Sequence, residues 1–305
     1  MPVTMPHAFH SLLENLVDYA GLFPPAKLDM ATAVANYAAY VQHADAWMLE
    51  RFVVPVGRLE EFEAAAAGLM PTDETEDPWP LSVLVSPAGS DQLEADFEAI
   101  ATFNDRHCQP ADGLAIVDAV ELKGDDAEAI DASLDLMPDE IFPFYEIPWD
   151  ADPRGLIATL VGGDAGAKIR TGGVEPSAVP PIDAVARFIE ACATADVPFK
   201  ATAGLHHPLR HADATVGCDM HGFLNVFVAA QLAIHHDVEA EGLEPVLEAR
   251  SLEGFVLTEG EVGFGELTVT PDEVEDARLG FSISFGSCSF DEPREDLRGL
   301  GLLDG

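Results

Sequence analysis

The sequence predicts an α/β chain closed into a (β/α)8 TIM barrel, and three observations lead there. Apolar segments of strand length alternate from end to end with longer stretches of helical period, the pattern of repeated βα units around a parallel sheet. Roughly eight such units fit along the chain, which suits a closed barrel better than an open sheet. No GxGxxG follows the first apolar segment, so the phosphate turn of an open dinucleotide-binding sheet is missing.

Taken in order, a first strand is expected over residues 16–22, stopped by Phe23-Pro24-Pro25, then a helix over 29–41 capped by Asp29. A strand at 51–56 leads into a helix at 59–69, and the acidic, proline-containing stretch 71–80 reads as a surface loop. Strands at 81–85, 113–122 and 141–147 alternate with helices at 90–104, 125–137 and, shorter, 155–161. The sixth strand, 167–170, precedes a helix at 182–195, and the seventh covers 198–203. The repeat then loosens. Residues 205–280 read as a loop and helix insertion, with helices at 222–235 and near 243–249 and a Gly- and Glu-containing stretch, 255–270, of hairpin character. A closing strand at 281–285 ends in Gly286-Ser287-Cys288-Ser289, and residues 1–305 are expected to form one domain.

The charge excludes several classes of function. Fifty-five acids against 15 Lys and Arg give a formal net charge of −40, spread along the whole length and not gathered in a tail. Such a surface suits concentrated salt, where the screening length falls to about 3 Å at 1 M, so the chain reads as a halophilic protein. It argues against nucleic-acid binding, which relies on clustered cations. The amino terminus lacks a basic region followed by an apolar core, and the longest apolar run, 223–234, carries Asn225 and Gln231 and is too short for a bilayer. Four cysteines without a CxxC read as reduced thiols, so a cytoplasmic location is expected, with no membrane partner.

The chemistry centres on rare residues. The chain has four lysines, Lys27, Lys123, Lys168 and Lys200, and two of them end short apolar runs that break into glycine, at Ala167-Lys168-Ile169-Arg170-Thr171-Gly172 and Phe199-Lys200-Ala201-Thr202-Ala203-Gly204. In a barrel the active site lies at the carboxyl ends of the strands. There strand one offers Asp18 and Tyr19, strand four Asp118, Glu121 and Lys123, strand five Tyr145 and Glu146, strand six Lys168, Arg170 and Thr171, strand seven Lys200 and Thr202 followed by His206 and His207, and strand eight Ser284, Gly286, Ser287 and Ser289. Alternation puts Lys168 with Arg170, and Lys200 with Thr202, on one face each. The plain alternative is that both lysines are sheet residues paired with acids.

These two segments, together with Ser284-Phe285-Gly286-Ser287 and Val117-Asp118-Ala119-Val120, resemble the later strands of class I aldolases of the deoxyribose-phosphate aldolase type. The resemblance covers about forty residues. It implies that Lys168 condenses with a carbonyl substrate and that Lys200 is the neighbouring ammonium that disfavours a second charge. It also implies that Asp118 is the acid/base, with Glu121 and Glu146 in reserve, and that the turn at Gly204 and the Gly286-Ser287 loop hold a phosphate; the Gly172 turn, beside it, could likewise admit an anion. Arg170 and the pair His206-His207 depart from the family pattern. The expected partner is a small molecule, phosphorylated compounds included, with no cofactor and no metal; a homo-oligomer is left open.

Two other readings stand beside this one. Five histidines, among them His206, His207 and His221, fall between residues 206 and 235, and could hold a divalent ion for a metal-dependent lyase or hydrolase, although their spacing matches no standard metal signature. The barrel could also bind a ligand without catalysis. Cys288 has no histidine placed beside it by sequence. The stiff segment 18–26 either lines the substrate mouth or closes the barrel.

Overall fold

The structure is a computed structural model and describes residues 8–303. Eight parallel strands close into a barrel: β1 (Val17–Tyr19), β2 (Leu49–Pro55), β3 (Trp79–Leu84), β4 (Ala115–Lys123), β5 (Phe142–Glu146), β6 (Gly166–Arg170), β7 (Phe199–Thr202) and, after an insertion holding β8 to β12, β13 (Ser282–Ser287), which pairs with both β7 and β1. Helices alternate with the strands outside the barrel, so the expected (β/α)8 class is the observed one. Helix Ile182–Ala195 follows β6 and buries Val185, Phe188, Ile189 and Cys192 on one face. Helix Met30–Tyr40 starts where Asp29 accepts a hydrogen bond from the Thr32 amide, a side-chain cap satisfying a donor the helix leaves open.

The insertion works at both ends of the barrel. Strands β8 (His211–Asp213) and β9 (Cys218–Met220) form a hairpin over the carboxyl ends of the barrel strands. Helix Phe223–His236 is buried on nearly every side, and Phe223 and Phe227 stack on Phe285 and Phe199 of the barrel wall. Beyond helix Ala240–Glu248, the stretch expected as a hairpin is a three-stranded antiparallel sheet of β10 (Phe255–Leu257), β11 (Val262–Phe264) and β12 (Leu267–Val269). The loop joining its first two strands accepts the Ala8 and Phe9 amides of helix Ala8–Leu13. Helix Pro271–Gly280, opened by a Thr270–Glu273 capping box, returns the chain to β13. Its Arg278 enters the core and donates to the carbonyls of Ser282, Ile283, Glu14 and Asn15 at the amino ends of β13 and β1.

Register decides which side chains share a layer. Glu146 lies opposite Lys168, Lys168 opposite Lys200, and Lys200 opposite Ser284, so one row runs across β5, β6, β7 and β13. The β3–β4 pairing slips: Leu81 faces Val117, but Ser82 faces Ala119, which leaves Asp118 out of register at a bulge.

Candidate active site

The middle of this barrel is charged where such barrels are usually filled with branched apolar residues. Lys200 is fully buried and its Nζ donates to Asp18 Oδ2 at 2.6 Å and Glu121 Oε1 at 2.7 Å. Lys168 donates to the other oxygen, Glu121 Oε2, at 3.0 Å, and lies 2.9 Å from Glu146 Oε2. The two amines are therefore separated by no more than one carboxylate and the two bonds to it. Ser82 Oγ donates to Glu121 Oε1 at 2.9 Å, Ser284 Oγ to Asp18 Oδ2 at 2.6 Å, and the Arg51 amide to Asp18 Oδ1 at 3.1 Å. Buried charges demand this kind of pairing, because an unpaired one loses its hydration with nothing in return.

The electrostatics follow from the network. Burial alone would raise the Glu121 carboxyl, but Lys200 and Lys168 outweigh it and hold Glu121 well below the ordinary carboxylate range. Burial likewise pulls Lys200 down, and Asp18 and Glu121 together reverse the sign, so its ammonium is favoured beyond the usual lysine value.

Above this layer a cavity of about 390 Å³ opens at the carboxyl ends of the strands. Lys168, Glu121 and Glu146 form its floor; Phe23, Pro24 and Pro25 of the stiff segment after β1 form one wall. The β8–β9 hairpin roofs it with Asp213, Thr215, Val216 and Met220. Arg170 stands on the wall one tooth beyond Lys168 and, among the described residues, makes no hydrogen bond or ion pair. Thr202 lies across from it, its Oγ1 buried and without a hydrogen-bond partner. An unpaired guanidinium in so acidic a chain, next to an unused hydroxyl, makes this wall receptive to an anion.

The expected site residues separate into groups. Lys168, Arg170, Glu121, Glu146, Gly204, His206 and Gly286 all line the cavity, and Lys200 lies directly beneath it. Thr171 donates its hydroxyl to the Thr202 and Ala203 carbonyls, tying the turn after β6 to the turn after β7. Gly172 and Gly204 are required by that contact: a Cβ on Gly172 would lie 2.9 Å from Gly204 Cα, and Gly204 has a φ of +80°. Ser287 donates to the Ser289 carbonyl and sits beside His206.

Asp118 is the residue that lies elsewhere. Arg51 grips both of its oxygens, at 2.8 and 2.6 Å, and it does not line the cavity, lying at the β4 bulge, further down the strand than Glu121. His207 pairs with Asp296 and packs edge-on against His211. His221 is buried, hydrogen bonds to the Pro180 carbonyl and has its pKa pulled down to about 4 by burial. The three histidines weighed as metal ligands thus have separate partners, and no group of three or more His, Cys, Asp or Glu side chains among the described residues is arranged to hold a metal ion.

Ser82 joins the centre without having been expected there, while Asp18 and Ser284, expected at the strand ends, are drawn into it, Asp18 as a partner of Lys200 and Ser284 as a partner of Asp18. Their signal was present as a single polar residue inside an otherwise apolar strand, as in Leu16-Val17-Asp18 and Leu81-Ser82-Val83. No family model matches the chain, and no curated protein matches it.

Proposed function

We propose that the protein is a carbon–carbon lyase that forms an imine between Lys168 and a small carbonyl compound, the chemistry that the aldolase resemblance implied. The observation that carries the reading is a primary amine at the floor of a closed-in cavity with a carboxylate 2.9 Å from it, on Glu146. Glu146 takes the proton that Lys168 must shed, and its side chain, 18% exposed, can pass that proton on to water or substrate. The freed amine attacks the carbonyl carbon. The oxygen gains that proton back from Glu146, and a second proton, shed by the attached nitrogen and relayed through the same carboxylate, lets it leave as water, giving the iminium. Glu146, again a carboxylate, takes the proton of the substrate's β-hydroxyl as the positive nitrogen draws the electron pair of the bond between the α and β carbons, releasing one carbonyl fragment and an enamine that is protonated at the α carbon and hydrolysed off Lys168.

The other groups keep that amine in place. Glu121 holds Lys168 in register with Lys200, and Asp18 and Ser284 fix Lys200 in turn. The free guanidinium of Arg170 and the unused Thr202 hydroxyl favour a substrate with a carboxylate or phosphate group. The dispersed acidic surface and four free thiols suit a reducing, saline cytoplasm. No helix of the described residues is long and apolar enough to cross a membrane.

The test is a panel of small anionic aldols assayed for cleavage with the wild type, Lys168→Met and Lys168→Arg. The expected result is turnover of at least one compound by the wild type and a loss of about a thousandfold or more in both variants, since neither can form the imine. Cleavage that survives Lys168→Met overturns the assignment.

A further inference from the structure

The loops after β7 and β13 are neighbours because the two strands pair, and they bring together side chains 82 residues apart. Cys288 Sγ lies 3.9 Å from both Nδ1 and Nε2 of His206. His206 Nδ1 is 3.3 Å from Glu292 Oε2, in the first turn of helix Asp291–Gly299, and 3.3 Å from Ser287 Oγ. Both Cys288 and His206 line the cavity whose floor is Lys168. A thiol, an imidazole and a carboxylate in that sequence of contacts are the parts of an activated nucleophile: a base within reach of the sulfur and a third group that orients the base.

The remaining cysteines differ. Cys192 is buried in the core with its thiol pushed up by desolvation, and Cys108 is exposed, with only a carbonyl and the Gln109 amide near its sulfur. Around His206, burial favours the neutral ring, yet Cys288 and Glu292 outweigh it and push its pKa up to about 9. The other titratable groups facing the cluster are Tyr19, whose ring is near Cys288, and His207 and Asp291, which face Glu292.

We propose that Cys288 and His206, positioned by Glu292, form a second reactive centre on the cavity wall, a thiolate–imidazolium pair that captures small aldehydes. The sulfur bonds to the carbonyl carbon, the π pair moves to oxygen, and the imidazolium of His206 gives that oxygen its proton. The product is a neutral hemithioacetal, formed reversibly with no change of oxidation state. The centre stands on atoms separate from Lys168 and does not depend on the imine reading.

The test is alkylation of the full-length chain by iodoacetamide across pH 5 to 10, with each cysteine followed by peptide mass spectrometry and Cys108 as the internal reference. An ordinary thiol, with a pKa of about 8.5, slows tenfold for each pH unit below that value. Cys288 is expected to be alkylated at lower pH more readily than Cys108, and His206→Gln to remove that difference. Glu292→Gln is expected to shift the profile in the same direction by less. In Lys168→Met, saturating propanal is expected to slow Cys288 alkylation at least fivefold. A Cys288 that is never alkylated, one whose profile is unchanged by His206→Gln, or one that propanal leaves unprotected in Lys168→Met overturns the proposal. Circular dichroism of each variant separates loss of the centre from loss of the fold.

Discussion

Replacing Glu121 with Gln disturbs the barrel interior at the one group both amines share. The wild-type layer holds three carboxylates, Asp18, Glu121 and Glu146, against two ammonium groups, Lys168 and Lys200. Gln keeps the shape and one acceptor but turns a donor toward one of the lysines. Breaking a buried pair costs about 3–5 kcal/mol when the partner is left uncompensated. Here Lys200 keeps Asp18 at 2.6 Å and Lys168 keeps Glu146 at 2.9 Å, so the loss is expected at the lower end, about 3 kcal/mol near pH 7. The pH dependence gives the sharper check. Glu121 titrates in the fold well below its ordinary 4.5, so its contribution is complete above that pH and drains away as the pH falls. Urea unfolding of wild type and Glu121→Gln from pH 8 down to 3 is therefore expected to show a gap of about 3 kcal/mol that holds down to about pH 4.5 and then narrows by about 1.4 kcal/mol per pH unit, at unchanged m-value. A gap under about 1 kcal/mol at pH 7, or one that stays constant into acid, would refute the idea that this network carries charge.

Other outcomes follow from single groups. Arg170→Gln, at an exposed and unpartnered position, is expected to change stability by less than about 0.5 kcal/mol while raising KM for anionic substrates about ten- to a hundredfold and sparing neutral aldehydes. Equal effects on both substrate types would remove Arg170 as the anion contact. His206 is raised from 6.5 to about 9 by Cys288 and Glu292 against the opposing pull of burial. Its contribution, about 3 kcal/mol, is thus complete below pH 6.5 and lost as the pH rises through 9; chemical unfolding should show that slope in the wild type and not in His206→Gln. The thermal midpoint is expected to rise steadily from about 0.1 to 2 M KCl as the screening length shrinks from about 10 Å to under 3 Å. A flat or falling midpoint would separate the net charge of −40 from adaptation to salt.

The barrel was legible because strand and helix periods are physical requirements of burial on one face. Helix Ile182–Ala195 coincides with its expected bounds, since an uninterrupted amphipathic stripe starts after a proline and ends at Asp196 in a left-handed conformation. The strands of the small sheet, β10 to β12, have three residues each, too few for alternation to announce them. The lysine pair could be found because lysine is rare in this chain and both residues precede glycine turns. Asp118 was expected in the site because the resemblance put it there, and its pairing with Arg51 across the barrel is a tertiary contact that no periodicity records. The approach of His206 to Cys288 depends on two loops meeting across the insertion between β7 and β13, and their spacing along the chain carries no trace of it.

Reductive trapping tests the central claim most directly. Purified wild-type protein is mixed with a small carbonyl substrate, treated with sodium borohydride and digested, and the modified peptide is sequenced by mass spectrometry. The account predicts a secondary amine on Lys168, with Lys200 unmodified because both of its carboxylate partners hold it protonated beneath the cavity. An adduct on Lys200, or no adduct on either lysine with a compound that the protein cleaves, would contradict it.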